Sequence, residues 1–314
     1  GMQQYKGNQL TYEKGADLTV GKTTFVDELV FNTTDKSGFE AAKKIASTAD
    51  VVVMVLGEHG FQSGEARSRT SLDLPGVQQE LLEEIYKVNP NIVLVLNNGR
   101  PLTISWAAEK IPTIVEAWQL GTETGNAVAQ VLYGDYNPSG KLPMTFPRNV
   151  AQVPIYYNYK NTGRPTMNEP ESVFWSHYSD EKNTPLYAFG HGLSYSKFEY
   201  SDLKLSATTL AQGGNINVTV SLKNNSTVAG KEVVQLYIRD IIGSTTRPVK
   251  ELKGFKKILL KSGEEKSVDF IIHEKDLRFT AANMKFKSEP GLFKVYVGTN
   301  SNDVLESQFE LIKD

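Results

Sequence analysis

The sequence predicts two folded parts of different class, an α/β domain with a mainly parallel sheet followed by an all-β sandwich. From about Gly38 to Pro147, apolar runs alternate with amphipathic helix-like segments. From about Glu199 onward, the hydrophobic pattern changes to a period of two residues. Because 314 residues are enough for two domains, we expect an α/β domain over residues 1–150, an ordered connector over 151–198 and a β-sandwich over 199–314.

Two runs in the first part, VVVMVL at 51–56 and IVLVLN at 92–97, are continuously apolar. Strands of this kind are buried on both faces, as in a parallel sheet that helices cover on each side. PTIVEAW predicts a further strand, while GFEAAKKIASTAD and ETGNAVAQVLYG predict helices, the second ending at Gly134. Segment 77–88 is predicted to be a helix because one of its faces is apolar. That face consists of Val77, Leu81, Leu82, Ile85 and Tyr86.

The second part has the pattern of strands with one buried face. NINVTVSL and VVQLYI each place alternate apolar side chains on one side of a strand. These residues are Ile216, Val218, Val220 and Leu222 in the first run, and Val234, Leu236 and Ile238 in the second. Further strand candidates are YSDLKLS, SVDFII, GLFKVYVG and SQFELI. Roughly seven short strands in a domain of this size predict a sandwich of the immunoglobulin or fibronectin type III kind.

Composition excludes several classes of function. The formal net charge of −2 provides neither the basic surface of a nucleic-acid-binding protein nor a polybasic stripe for a membrane surface. No run approaches the about 20 apolar residues that span a bilayer. We therefore expect neither a nucleic acid nor a membrane as a partner.

The sequence also lacks the usual signatures of a cofactor or metal site. It has no cysteine, which excludes disulfides, thiolate metal sites and a cysteine nucleophile. Its four histidines are scattered without paired spacing. GADLTVGKTT resembles a phosphate-binding loop, but its glycines have the wrong spacing, and there is no dinucleotide fingerprint or G-x-S-x-G elbow. We expect no cofactor and no metal.

The candidate site is the segment GEHGFQSGEARSRTSLDLPG at 57–76, which directly follows the first apolar strand. In an open α/β sheet, ligands bind beyond the carboxyl ends of the strands. Carboxylates and guanidinium groups can bind sugar hydroxyls and a glycosidic oxygen, but they also fit a structural ion pair on a solvated loop. The candidate residues of this segment are Glu58, His59, Glu65, Arg67 and Arg69.

A series of segments, spread over nearly the whole chain, agrees in order with one known family. The segments are VVVMVLGE, SGEARSRTSLDLPG, VLVLNNGRPL, EAWQLGTETGNAVAQVLYGDYNPSGKLPMTFP, YYNYKNTGRP, PLYAFGHGLSYSKF and TRPVKELKGFKKI. The chain resembles the C-terminal portion of glycoside hydrolase family 3, and within it the periplasmic bacterial β-glucosidases. The resemblance implies an α/β sandwich and a fibronectin type III-like module, preceded in complete members by a (β/α)8 barrel.

The resemblance also implies roles for the candidate residues. A retaining glycosidase uses two carboxyl groups about 5–5.5 Å apart, one as the nucleophile and the other as acid and then base. In the family the nucleophile is an aspartate of the barrel, which has no counterpart here. The S-G-E pattern implies that Glu65 is the acid/base, with Glu58 as the alternative. Glu58 is otherwise expected to brace the loop or contact sugar, and His59, Arg67 and Arg69 are further substrate-binding candidates.

The implied function is that of a β-glucosidase that removes terminal β-linked glucose from oligosaccharides or glycosides. Its partner would be the barrel of the same polypeptide, so we expect this chain to be an inactive C-terminal fragment with a trimmed α/β domain. The resemblance implies a periplasmic or secreted protein whose signal is not in this sequence. Trp118 is expected to belong to the core or to support the loop layer, with stacking on a sugar ring as the alternative. The alternative is a carbohydrate-binding or structural module without hydrolytic activity.

Overall fold

Residues 1–162 and 173–313 are described by a computed structural model, and their contacts divide the chain into two units. The units are interleaved along the sequence, because the chain enters the second unit, returns briefly to the first and then leaves it again. The α/β unit comprises Gly1–Asp135 and Pro147–Val153, and the β unit comprises Tyr136–Phe146 and residues 154 onward.

The expected three-part division of the chain stays a prediction. It assumes consecutive domains with limits at residues 150 and 198, whereas the two units alternate along the sequence. Part of the expected connector, residues 163–172, lies outside the described residues. The last residues of the motif YYNYKNTGRP fall in that part as well.

The α/β unit alternates helices and strands in chain order. Its elements are α1 Phe39–Ala46, β1 Val52–Gly57, α2 Gln78–Val88, β2 Ile92–Asn97, α3 Ser105–Lys110, β3 Thr113–Glu116 and α4 Thr124–Leu132. The strands pair in parallel in the order β1-β2-β3, with Val52 opposite Ile92 and Val93 opposite Thr113. The parallel α/β class expected from the continuous apolar runs is thus confirmed.

The core of this unit is centred on β2 and α2. Ile92, Leu94 and Leu96 alternate along β2 and are fully buried, as is Leu82 of α2. Burying an aliphatic side chain of this size contributes roughly 1.5–3 kcal/mol. Because a slip of one residue would turn this set to the opposite face, their burial fixes the register of the sheet.

Strand β1 is the less protected side of the sheet. Among the described residues it pairs only with β2, so its outer edge carries no further strand. Val55, in the middle of β1, is 60% exposed, and Val51, just before it, is 50% exposed. Parallel strands are normally covered on both faces, so this side of the sheet leaves apolar side chains open to solvent.

The β unit is a sandwich of mostly antiparallel strands. The strands are β4 Phe198–Leu205, β5 Thr209–Leu210, β6 Asn215–Asn224, β7 Gly230–Asp240, β8 Glu251–Leu260, β9 Glu265–His273, β10 Phe279–Thr280, β11 Phe286–Lys287, β12 Gly291–Gly298 and β13 Val304–Leu311. One sheet has the order β5-β13-β12-β7-β8 and the other β4-β6-β9. The short strands β10 and β11 form a separate pair.

The inward faces predicted for β6 and β7 are confirmed. The four apolar residues of β6 are 0% exposed, and those of β7 are at most 2% exposed. They belong to one apolar cluster that also includes Phe293 and Phe309, whose rings stack 5.5 Å apart. Strand β8 was not predicted, because Lys253, Lys256 and Lys257 interrupt the apolar alternation of ELKGFKKILL.

Candidate active site

The chain leaves β1 through a tightly held glycine. A Cβ atom at Gly57 would lie 2.0 Å from the carbonyl oxygen of Asn97 on β2, so only glycine fits this position. The buried side chain of Gln78 accepts a hydrogen bond from the Gly57 N–H at 2.8 Å and donates one to the Gly57 carbonyl at 2.8 Å. These contacts fix the direction of the chain and hold Glu58 at the carboxyl edge of the sheet.

Glu58 is a fully buried carboxylate at the first position after β1. Its Oε1 lies 2.6 Å from Nη1 of Arg69 and 3.1 Å from Nε of Arg100. Its Oε2 accepts a hydrogen bond from the N–H of Gly99 at 2.9 Å. A buried charge needs several such partners to offset its lost hydration. Of the three roles expected for Glu58, which are acid/base, brace of the loop and sugar contact, these contacts fit the brace.

His59 closes the next turn of the loop. Its Nδ1 accepts a hydrogen bond from the N–H of Phe61 at 3.1 Å, and its own N–H donates to Oε1 of Gln62 at 2.9 Å. Together they cap a short 3-10 helix at Gly60–Gln62. Because Nδ1 accepts, the proton of the neutral imidazole lies on Nε2, which leaves an N–H donor for a ligand.

Glu65 lies in an exposed turn of the loop. Gly64 and Ala66 on either side have φ angles of 149° and 57°, and the Arg67 N–H donates to the Gly64 carbonyl at 3.2 Å. A positive φ is uncommon for alanine and costs on the order of 1 kcal/mol. Glu65 has no hydrogen bond or ion pair with any residue that the structure describes. Its carboxyl group is therefore open to solvent and to a ligand.

The two arginines of the loop are engaged away from Glu65. Arg67 Nη1 lies 3.2 Å from Oε2 of Glu28, and Nη2 donates to the carbonyl of Phe25 at 3.1 Å. Arg69 pairs with Glu58 and donates through Nη2 to the carbonyl of Asp73 at 2.8 Å. The structure thus brings Arg69 to Glu58 and Arg67 to the segment at 25–28.

A cleft of about 590 Å³ with a mixed polar and apolar lining lies beside this turn, within the α/β unit. Its size falls in the range usual for small-molecule sites. Its lining includes Glu28, Phe31, Phe61, Ala66 and Arg67. The cleft therefore borders the turn that carries Glu65.

Glu116, at the end of β3, was not predicted as a site residue. It is mostly buried, and its Oε1 accepts a hydrogen bond from the N–H of Trp118 at 3.0 Å. Burial raises the pKa of Glu116 to about 7; the hydrogen bonds from Trp118 and Asn98 oppose the rise, and the charge of Glu58 adds to it. A carboxyl group beside the site therefore titrates near neutral pH.

Arg100 was not predicted either, although it contacts the loop at several points. It follows β2 and donates hydrogen bonds to the carbonyls of Gln62 and Arg67. The signal that identifies both Arg100 and Glu116 is the one that singled out Glu58. NNGR and VEAW close the second and third parallel strands, whose carboxyl ends lie at the same edge of the sheet as the end of β1.

Trp118 has a φ angle of 49° and is half-buried. Its backbone N–H holds Glu116, which ties it to the loop layer, while stacking on a sugar stays a prediction. Within residues 1–162 and 173–313, no group of three or more histidine, aspartate or glutamate side chains is suited to hold a metal ion. None of the helices in these two ranges combines the length and apolarity needed to cross a membrane.

The fold and the site define a two-unit protein, in which an α/β unit with carboxylates at its strand ends accompanies a fibronectin-like sandwich. Residues 2–195 match the glycosyl hydrolase family 3 C-terminal domain, and residues 232–301 match the fibronectin type III-like domain. The chain therefore belongs to glycoside hydrolase family 3. The resemblance and the fold class expected from the sequence are confirmed.

Individual relatives agree with this assignment over nearly the whole chain. The chain is 43% identical to a periplasmic β-glucosidase of Salmonella typhimurium, over 98% of this chain and 41% of that protein. It is 41% identical to a β-xylosidase of Formosa agariphila, over 93% of this chain and 38% of that protein. The crystal structure of a Listeria innocua β-glucosidase in complex with glucose superposes with a TM-score of 0.85 at 41% identity, covering 90% of this chain and 39% of the other. The chain thus spans about two fifths of the length of these relatives.

Proposed function

We propose that this chain is the C-terminal part of a retaining β-glucosidase and that Glu65 is its general acid and base. Membership of glycoside hydrolase family 3 supports glycoside hydrolysis by the longer protein. The name of the Salmonella relative supports β-linked glucose as the sugar and a periplasmic or secreted location. The nucleophile is an aspartate on the (β/α)8 barrel of the same polypeptide, outside this chain.

The difference between the two glutamates of the loop carries this proposal. A general acid must reach the glycosidic oxygen, and it must change its protonation state during the reaction. Glu65 is exposed in its turn and unpaired among the described residues. Glu58 is fully buried, with two guanidinium groups and a backbone N–H around its carboxylate. Glu65 therefore fits the acid/base role better than Glu58.

In the proposed reaction, protonated Glu65 donates its proton to the glycosidic oxygen while the bond from that oxygen to the anomeric carbon breaks. The aspartate of the barrel bonds to the anomeric carbon and forms a glycosyl-enzyme. Ionised Glu65 then takes a proton from the water that attacks this carbon. Glucose is released, the aspartate is regenerated as a free carboxylate, and Glu65 is again protonated.

Other residues of the loop supply contacts to the sugar in this proposal. His59 offers its Nε2–H, and the guanidinium groups of Arg67 and Arg69 border the cleft. Glu58 acts mainly by holding Arg69 and Arg100. Because the relatives include a β-xylosidase, rates on aryl β-glucoside and aryl β-xyloside determine whether the cleft accepts the hydroxymethyl group of glucose.

The Glu65→Gln variant of the complete polypeptide tests the acid/base role. Protonation matters most for a poor leaving group, such as a sugar alkoxide, and little for an activated phenolate. We expect the variant to lose roughly 10²- to 10⁴-fold in rate on a disaccharide and far less on a dinitrophenyl glucoside. Added azide, which attacks without a base, should restore turnover of the activated substrate and yield a β-glycosyl azide.

The matched control is Glu58→Gln in the same polypeptide. If Glu58→Gln shows the leaving-group dependence and azide rescue while Glu65→Gln does not, the roles of the two glutamates are exchanged. If the complete polypeptide hydrolyses no β-glycoside but this chain binds glucose or cellobiose, the alternative of a carbohydrate-binding module replaces the proposal.

A further inference from the structure

We propose that Arg100 is a positioning residue that holds the turn carrying Glu65. The catalytic part of this inference rests on the proposed role of Glu65, whereas its structural part concerns this chain alone. Arg100 belongs to the segment that follows β2 and is 21% exposed through its side chain. Its guanidinium group reaches across to the loop that follows β1.

The contacts of Arg100 lie on both sides of Glu65. Nη2 donates a hydrogen bond to the carbonyl of Gln62 at 2.6 Å and lies 3.3 Å from the hydroxyl of Ser63. Nη1 donates to the carbonyl of Arg67 at 3.2 Å. The acceptors at residues 62 and 63 precede the turn, and the one at 67 follows it. A single guanidinium group therefore ties the two ends of the turn together.

The guanidinium group is itself held in place. Its Nε lies 3.1 Å from Oε1 of the buried Glu58. Glu58 also accepts from the N–H of Gly99, the residue before Arg100. The segment after β2 also comes close to the loop, because a Cβ atom at Gly99 would lie 2.2 Å from the hydroxyl oxygen of Ser63. The two loops are thus joined by backbone contact and by charge.

The turn needs such a clamp. Ala66 holds a strained positive φ, and Glu65 makes no hydrogen bond or ion pair with the described residues. Strained backbone persists only where surrounding contacts impose it. Arginine suits this task better than lysine because its planar fork presents several donors in fixed directions, while an ammonium group is a compact charge on a flexible stem.

Displacement of the turn that carries Glu65 should lower the rate of the reaction. A misplacement of about 1 Å in a catalytic group can reduce the rate roughly 10²-fold. Because Arg100 acts through the position of Glu65 and does not itself touch the proposed substrate, its loss should lower kcat on poor leaving groups and leave KM nearly unchanged.

The first experiment uses the 314-residue chain. Hydrogen exchange of the Arg67 amide, which donates to Gly64, and tryptic cleavage after Arg67 are measured in Arg100→Met and Arg100→Lys. We expect both rates to rise about tenfold or more in Arg100→Met, with a smaller rise in Arg100→Lys, as a locally opened segment requires. The matched control is Arg247→Met, which removes a guanidinium group of similar burial, 15% exposed, from the β unit.

The second experiment measures kcat and KM of the same variants in the complete polypeptide, beside Glu65→Gln. Arg100→Met should lose roughly 10²-fold in kcat on a disaccharide, with much less loss on a dinitrophenyl glucoside, and Arg100→Lys should recover part of it.

The outcomes separate the two proposals. Unchanged exchange and cleavage in Arg100→Met overturn the clamp, whatever the kinetics. Faster exchange with equal losses on both substrates overturns the positioning role while Glu65→Gln still tests the acid/base. A lack of leaving-group dependence in Glu65→Gln itself overturns the proposed function and leaves only the clamp. If Arg100→Met does not fold, Arg100→Lys decides by the same readouts.

Discussion

Arg69 is paired with Glu58 and not with Glu65, although Glu65 is the nearer of the two in the sequence. The Arg69 Nη1 atom lies 2.6 Å from Oε1 of Glu58, whose side chain is fully buried. The guanidinium group of Arg69 therefore neutralises the buried carboxylate of Glu58. Glu65 is left without a positive partner among the described residues, so no internal ion pair competes with a ligand for its carboxyl group.

The first prediction concerns the stability that this pairing contributes. Glu58→Gln leaves Arg69 and Arg100 without their common carboxylate, and removal of one partner from a buried ion pair costs about 3–5 kcal/mol. We expect the free energy of unfolding of the α/β unit to fall by about 3 kcal/mol. The measurement is a urea titration in a Trp175→Phe background, in which the fluorescence comes from Trp106 and Trp118 of that unit.

The control for this prediction is Glu28→Gln. Glu28 also pairs with an arginine of the loop, but its side chain is 94% exposed, and exposed pairs contribute about 1 kcal/mol or less. An equally small effect of both substitutions would show that Glu58 is not the brace of the loop.

How much of this arrangement the sequence predicts depends on the range of the interactions. Continuous apolar runs predict β1 and β2, because burial on both faces leaves a signature within a few residues. Strand β8 cannot be predicted from such a pattern. Its exposed lysines interrupt the alternation of apolar and polar residues, and its place is fixed by pairing with β7. A local sequence pattern therefore predicts a strand whose burial is evident from its own residues, but not a strand whose place depends on pairing with another.

The residues of the site also differ in how far a local sequence pattern predicts them. Glu58 and Glu65 are found from the motif and from the strand end, but the partners of Arg67 and Arg69 are set by chain segments remote in sequence. Glu28 is 39 residues from Arg67, and Arg100 is 38 residues from the Gln62 carbonyl. Such contacts have no local pattern. The strand ends mark Arg100 and Glu116 as candidates, but the partners of Arg100 and the raised pKa of Glu116 are known only from the folded chain.

A second prediction follows from Glu116. Its pKa is about 7 in the folded chain, mainly because of burial, against 4.5 for an ordinary glutamate. The folded state therefore holds the proton more tightly than the unfolded state. The stability associated with the neutral form is fully present below about pH 4.5 and is lost as the pH rises through about 7.

Glu116→Gln keeps the uncharged shape at every pH. Between pH 4 and pH 8, the free energy of unfolding of the variant should gain about 2–3 kcal/mol relative to the native chain, measured by urea titration at both values. Glu109→Gln is the control, because its hydrogen bond from Lys110 lowers the pKa of Glu109 and predicts a change of opposite sign. A pH-independent difference for Glu116→Gln would contradict the assignment.

The third prediction compares the two units. The sheet of the α/β unit exposes Val51 and Val55 at its β1 edge, whereas the β unit encloses one continuous apolar cluster between two sheets. Hydrogen exchange should therefore be faster for the amides of β1 and β2 than for those of β6 and β7, by roughly tenfold or more under native conditions. Equal protection, or better protection of β1, would mean that the open edge does not limit stability.

The last prediction is that the 314-residue chain alone does not hydrolyse aryl β-glucosides above background. Retaining hydrolysis needs a second carboxylate about 5–5.5 Å from the acid/base to form the glycosyl-enzyme. The carboxylates that the strand ends supply beside the loop, Glu58 and Glu116, are buried and hydrogen-bonded, so neither is free to attack an anomeric carbon.

An exposed Glu65 without such a partner can offer only the catalysis of a carboxyl group in solution, because the covalent route is missing. Purified chain and its Glu65→Gln variant should therefore release nitrophenol from the β-glucoside at the same rate as buffer. Hydrolysis that the chain supports and that Glu65→Gln abolishes would place the nucleophile within these residues. Glu116→Gln and Glu58→Gln would then identify which buried carboxylate becomes accessible when substrate binds.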